Sequence, residues 1–195
     1  MTDATPSSTT GSATDLRPHP FAVRVGVLVT AALVVLDQAT KELAEALLDP
    51  GVFVPWLGPG VGWHLVYNPG GAFGLPAPTW LFLSVTVIVL VLVVRALPRS
   101  TTLTSAVAFG MLLAGALGNA LDRVLRAGDA NGSFGGGYVV DFVAWGSFPR
   151  FNVADSAITV AFVLLVIALW LEERRAAQGD EVAVDQDPPD DGSSG

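Results

Sequence analysis

The feature that most constrains this chain is a set of four separated apolar stretches, each close to the length that crosses a lipid bilayer. They run over about 21–40, 78–97, 103–122 and 154–171. About 20 apolar residues, at roughly 1.5 Å each, span a hydrocarbon core about 30 Å thick. Only 14% of the 195 residues are charged, which is low for a soluble domain. The pattern predicts an all-α membrane protein, a four-transmembrane-helix bundle.

The two ends of the chain differ from this apolar middle. Residues 1–20 are rich in Ser, Thr and Pro, and residues 176–195 are acidic and hold much of the net charge of −8. We interpret both as disordered tails around a membrane domain at 21–175. The domain offers no basic face for nucleic acid, so no nucleic-acid partner is predicted.

The residue inventory excludes several kinds of catalytic site. The chain contains no cysteine, which removes thiol nucleophiles and Cys-ligated zinc. Its two histidines, His19 and His64, do not form an HExxH pair. We therefore predict no metal and no cofactor.

Basic residues orient the bundle. They precede the first stretch, lie between the second and third, and follow the fourth: Arg17, Arg24, Arg95, Arg99, Arg174 and Arg175. An even number of spans brings all three groups to one side, which the positive-inside tendency identifies as cytoplasmic. Both termini are then cytoplasmic, and the loops 41–77 and 123–153 lie outside.

The first outer loop carries a hairpin signal. Two β-prone segments, 52–57 and 62–67, flank a Gly-Pro-Gly turn at 58–60. Trp56, Trp63 and Tyr67 are residues that favour a bilayer interface. We predict a small sheet at the outer membrane surface.

Polar residues collect where the predicted topology puts the outer membrane boundary. Four chain segments contribute them: Asp37, Asn119, Asp122, Arg123, Asp141 in the outer loop, Asn152 and Asp155. Charged groups at membrane depth cost several kcal/mol and usually mark function. Two facing carboxyls share one proton, and such a pair can activate water and protonate a leaving amine. The convergence predicts a site for acid–base chemistry.

Five sequence blocks occur in an order that resembles the lipoprotein signal peptidase (signal peptidase II) family across about 21–172. The blocks are LDQATK at 36–41, YNPGGAFG at 67–74, GALGNALDR at 115–123, VVDF at 139–142 and FNVADSAI at 151–158. The resemblance implies a metal-independent aspartyl endopeptidase of the bacterial cell membrane with an extracytoplasmic β-cradle and an active site near the outer face.

The resemblance also implies substrates and site residues. The substrates are diacylglyceryl-modified prolipoproteins, cut just before the lipidated cysteine, with membrane lipid as surroundings and globomycin as an inhibitor. Asp141 and Asp155 correspond to the catalytic pair. The substrate-binding residues are Asn68, Asn119, Arg123 and Asn152, and the supporting polar residues are Asp37, Lys41 and Asp122. We expect Asp122 to pair with Arg126 at helical spacing.

Two other functions stay open on the residues alone. Paired acids in a bundle can relay protons, so a small transporter or proton channel is the first alternative. A lipid-binding or assembly protein without catalysis is the second. One departure from the family pattern is a Gly-rich insert at 128–137, which we expect to extend the outer loop over the site.

Overall fold

A computed structural model of the chain describes residues 20–69, 79–126 and 137–185. Its elements, in chain order, are α1 (Pro20–Leu47), β1 (Phe53–Pro55), β2 (Val61–Asn68), α2 (Thr79–Ala96), α3 (Leu103–Leu125), β3 (Val139–Trp145) and α4 (Val153–Asp185). A short 3₁₀ turn, Leu97–Arg99, joins α2 to α3. Most of the first predicted tail, the end of the second, the 70–74 part of the second block and nearly all of the Gly-rich insert lie outside the described residues.

Within the described part of the chain, three helical segments are long and apolar enough to cross a membrane. They are Pro20–Leu47, Leu103–Leu125 and Val153–Arg174. Large apolar side chains on α1 and α4, such as Leu28, Val35 and Val166, remain exposed. Faces of this kind suit lipid rather than water. The second predicted stretch, 78–97, coincides with α2, an apolar helix of 18 residues.

The helices pack closely because small residues line their contacts. α3 lies at the centre and contacts α1, α2 and α4. A side chain at Gly26 or Gly110 would collide with the backbone of the facing helix, so α1 and α3 approach to backbone contact there. Gly115 lies equally close to the Ala154 carbonyl oxygen on α4. Such small-residue contacts are typical of helix pairs in membranes.

The three strands form one antiparallel sheet in the order β1-β2-β3. The predicted hairpin is present, and Gly58 in its turn has the positive φ of 79° that favours glycine. β2 pairs with β3 so that Val66 faces Asp141. Leu65 and Val140 belong to a buried cluster that packs the sheet on α1.

β3 corrects the expectation that Asp141 lies in a loop. The run Val139–Trp145 is β-prone, but its strand partner, β2, lies about 70 to 85 residues earlier in the chain, so pairing is not visible locally. Two helices also extend beyond their predicted ends: α1 continues to Leu47, and α4 continues to Asp185. Residues 176–185, where we expected a disordered tail, are part of α4, and Ala176, Ala177, Gln178 and Glu181 there are good helix formers.

Candidate active site

Asp141 is a buried carboxyl held by two amides. Its side chain is 3% exposed and stands on β3. Asn68, at the end of β2, donates from Nδ2 to Asp141 Oδ2 at 3.0 Å. Asn152, just before α4, donates from Nδ2 to Oδ1 at 2.8 Å. The sheet therefore holds one oxygen of this carboxyl, and the segment before α4 holds the other.

Asp155 lies in the first turn of α4 and takes part in a reciprocal cap. The Asp155 backbone N–H donates to Asn152 Oδ1 at 3.0 Å, and the Asn152 backbone N–H donates back to Asp155 Oδ2 at 3.3 Å. Such exchanges satisfy backbone donors that a helix start leaves open. Asn119 on α3 donates from Nδ2 to Asp155 Oδ1 at 2.9 Å.

Asn152 joins the two carboxyls. It is fully buried, its side chain contacts Asp141, and its backbone N–H contacts Asp155. Its Nδ2 also lies 3.2 Å from Asn119 Oδ1. One asparagine thus sets the relative position of carboxyls that come from a strand and from a helix.

Burial changes the acidity of this site. Desolvation, followed by the negative charge of Asp155, raises the pKa of Asp141 from 3.8 to about 7, although hydrogen bonds from Asn68 and Asn152 oppose the change. Near neutral pH the Asp141 carboxyl can therefore hold or release a proton. A carboxyl pair in which one member is protonated and the other ionised is suited to general acid–base chemistry.

A buried ion cluster lies behind the pair, between α1 and α3. Lys41 Nζ lies 2.8 Å from carboxylate oxygens of both Asp37 and Asp122, and all three side chains are almost inaccessible. Asp37 Oδ1 accepts the Ala154 backbone N–H at 2.8 Å, and Asp122 Oδ2 accepts the Val140 backbone N–H at 3.1 Å. The cluster is therefore hydrogen-bonded to the start of α4 and to the strand that carries Asp141.

Arg123 completes the predicted set. Its guanidinium is buried, donates to the Asn119 carbonyl oxygen at 3.2 Å, and interacts electrostatically with Asp141, Asp122 and Asp155. All nine residues singled out in the sequence thus lie at one end of the bundle: Asp37, Lys41, Asn68, Asn119, Asp122, Arg123, Asp141, Asn152 and Asp155. Their individual roles stay predictions.

Sequence reasoning missed several polar neighbours. Gln38 donates to Asp122 Oδ1 at 3.0 Å, and Glu42 and Glu45 contact Arg126. Gln38 lies inside the first sequence block. Glu42 and Glu45 lie beyond the predicted end of the first stretch, and a helix predicted to continue to Leu47 would have placed Glu45 one turn after Lys41. The expected pair of Asp122 with Arg126 is present, with Arg126 Nε 3.2 Å from Oδ1.

This fold and site define a multi-pass membrane protein with a carboxyl pair, one member buried and the other half-buried, at one end of its helix bundle. Residues 29–171 match the family model described as Signal peptidase (SPase) II. The lipoprotein signal peptidase of Mycobacterium avium (strain 104) is 38% identical over 164 residues, which covers 83% of this chain and 87% of that protein. That of Rhodococcus jostii (strain RHA1) is 42% identical over 144 residues, with coverages of 72% and 69%.

Solved structures agree with these matches. A bacterial membrane enzyme determined by the in meso method at 2.3 Å resolution superposes with a TM-score of 0.68 at 29% identity, covering 80% of this chain and 93% of that one. A second, determined at 1.9 Å resolution, gives a TM-score of 0.65 at 30% identity. The chain belongs to the signal peptidase II family, a family of peptidases.

Proposed function

We propose that this protein is an aspartyl endopeptidase that removes signal peptides from diacylglyceryl-modified prolipoproteins, cutting just before the lipidated cysteine. The name lipoprotein signal peptidase, carried by its relatives, supports this substrate class. The observation on which the chemistry rests is the link between Asp141 and Asp155 through Asn152. Through this link, one asparagine holds two carboxyls with different surroundings next to each other.

In the proposed reaction, one carboxyl is ionised and the other is protonated. The ionised member takes a proton from a water molecule, whose oxygen attacks the scissile carbonyl carbon. The protonated member gives its proton to the carbonyl oxygen, forming a tetrahedral diol. A proton then passes to the amine nitrogen of the cysteine, the C–N bond breaks, and the signal peptide leaves with a new carboxyl end. The pKa of about 7 at Asp141 supports a pair that holds one proton near neutral pH.

The proposal assigns substrate contacts to four neighbours, Asn68, Asn119, Arg123 and Asn152. Three of them are amides that hold the carboxyls by hydrogen bonds, and amides can also pair with a peptide backbone. Arg123 is a buried cation that suits a carbonyl or ester oxygen. Asp37, Lys41 and Asp122 support the site from behind.

We propose the following arrangement in the membrane. α2 is the second of four spans in a domain at 21–175, both termini are in the cytoplasm of a bacterial cell, and the sheet forms a cradle beside an active site near the outer face. The basic-residue pattern and the exposed Trp56 and Trp63 support this orientation. Membrane lipid surrounds the bundle, and globomycin competes with the substrate.

The test is cleavage of a lipidated prolipoprotein by purified enzyme in detergent. Asp141→Asn and Asp155→Asn are each expected to lower kcat by about a thousand-fold or more, because each removes a proton-transfer group. Asp49→Asn, an exposed aspartate, is the matched control and should keep wild-type activity. Globomycin should inhibit the wild type and the control alike. Near-normal cleavage by either catalytic variant would refute the assignment.

The transporter alternative predicts polar groups through the depth of the bundle. Instead, the described polar cluster lies at one end, and membership in a peptidase family favours hydrolysis. Cleavage by the wild type that is lost in Asp141→Asn and Asp155→Asn separates catalysis from simple lipid binding, since a binding protein would not cleave at all.

A further inference from the structure

A cation outside the predicted site gathers three carboxylates. Arg126 follows the last residue of α3, and its guanidinium lies 3.2 Å from Asp122 and 2.6 Å from Glu42. It also contacts Glu45, which lies on α1 like Glu42. The Arg126 side chain is only 12% exposed, so solvent screens its contacts with Asp122 and Glu45 less than those of surface ion pairs, whereas Glu42 is largely exposed.

The first route from Arg126 to the site runs through Asp122. Arg126 binds Asp122 Oδ1, while Oδ2 pairs with Lys41 at 2.8 Å and accepts the Val140 backbone N–H at 3.1 Å. Val140 directly precedes Asp141 on β3. A rotation of the Asp122 carboxyl would therefore withdraw an acceptor from the strand at the residue next to Asp141.

The second route runs through Glu45 and the neighbouring strand. The Glu45 carboxylate lies beside the Tyr67 hydroxyl and interacts with it electrostatically. Tyr67 precedes Asn68, whose amide donates to Asp141 at 3.0 Å. Arg126 thus reaches Asp141 from two sides, along β3 and along β2.

The charges explain why a cation is needed at this position. Glu42 and Glu45 on α1 and Asp122 on α3 place three negative groups across one helix contact. Without Arg126 they would repel one another in surroundings that are partly shielded from water. A guanidinium can serve three carboxylates at once because its five N–H groups point in fixed, different directions.

We propose that Arg126 is a positioning residue of the peptidase, holding β2 and β3 so that Asp141 faces Asp155. The inference rests on the proposed function. Arg126 does not touch the carboxyl pair in the described contacts, so it acts through Asp122 and Glu45.

The experiment compares kcat, KM and thermal midpoint for purified wild type, Arg126→Gln, Arg126→Lys and Glu45→Gln on a lipidated prolipoprotein. Arg174→Gln is the matched control, since Arg174 contacts Trp170 far along α4 from the site. We expect Arg126→Gln to lower kcat by about ten-fold to a hundred-fold, because small displacements of a reacting group have effects of that size. KM should change by less than about two-fold, since the substrate contacts remain.

The conservative variants separate positioning from a merely structural role, because a structural role would change the thermal midpoint and leave kcat per folded molecule unchanged. Arg126→Lys keeps the charge and is expected to recover part of kcat, while Glu45→Gln, which breaks only the second route, should lose less than Arg126→Gln. An unchanged kcat per folded molecule in Arg126→Gln, with only a lower thermal midpoint, would overturn the inference. If Arg126→Gln does not fold, Glu45→Gln decides: reduced kcat supports positioning, and wild-type kcat overturns it.

Asp141→Asn, run beside these variants, separates the two proposals. If the wild type cleaves and Asp141→Asn does not, the proposed function stands whatever Arg126→Gln does. If the wild type does not cleave, or Asp141→Asn cleaves normally, both the function and the positioning role fall.

Discussion

Two regions of the same helix pair, α1 with α3, are held together in opposite ways. In one, Gly26 and Gly110 bring the backbones into contact, and Thr30 Oγ1 lies 3.0 Å from the carbonyl oxygens of both. In the other, about three helical turns along α1, Lys41 lies buried between Asp37 and Asp122.

The contrast separates stability from chemistry. Close packing of small residues is an economical way to join helices in lipid, where apolar burial gives little drive. A buried ion cluster is costly to desolvate and is weak evidence for stability. We infer that the ionic region persists because of what it positions, the start of α4 and the strand with Asp141, whereas the glycine region persists because it holds the helices together.

The largest expected effect lies in the polar region, at Asn152. Asn152→Ala removes the amide that contacts Asp141 and the side-chain oxygen that caps Asp155. We expect kcat on a lipidated prolipoprotein to fall by about a thousand-fold, because the relative placement of the two carboxyls is lost. Thr159→Val, which removes an exposed hydroxyl on α4, is the control and should cleave normally. A wild-type kcat in Asn152→Ala would contradict the conclusion that the polar region positions the two carboxyls.

The next effect lies in the glycine region. A methyl group at Gly110 would collide with the Gly26 carbonyl oxygen, so Gly110→Ala must separate α1 from α3. We expect a loss of about 3 kcal/mol in the free energy of unfolding, the upper part of the range for overpacking. Thermal unfolding in detergent measures it. Gly60→Ala is the control, because its nearest contact would be an ordinary 3.6 Å. Activity per folded molecule should survive in both.

The smallest effect concerns pH. The pKa of Asp141 is about 7 in the folded protein and 3.8 ordinarily, so the folded state binds this proton more tightly. The associated stability is fully present below pH 4 and is lost as pH rises through 7. Between pH 5 and pH 8 the wild type should lose about 2 kcal/mol more than Asp141→Asn, which cannot titrate there. Thermal midpoints at both pH values test this, and parallel changes in the two proteins would contradict it.

Much of the fold was readable from local patterns. The apolar stretches predicted the helices, and the Gly-Pro-Gly turn predicted the first hairpin. Both signals arise within a short window of chain, where hydropathy and turn chemistry act. The third strand was not readable, because its pairing with β2 depends on residues far apart in the chain. The ends of α1 and α4 were misjudged because polar helix formers continue each helix past its apolar part.

In the candidate site, too, local sequence patterns indicated some features and only folding decided others. By itself, the sequence indicated seven of the nine candidate residues, through their place near the ends of the apolar stretches or in the outer loop, and the resemblance to the family added Asn68 and Lys41. Only the tertiary structure decided how they are connected: Asn152 between the two aspartates, Lys41 between Asp37 and Asp122, and Arg126 drawing Glu42 and Glu45 into the network. The physical reason is that hydropathy is a property of each segment, whereas a hydrogen bond or ion pair depends on the distance between segments that folding brings together.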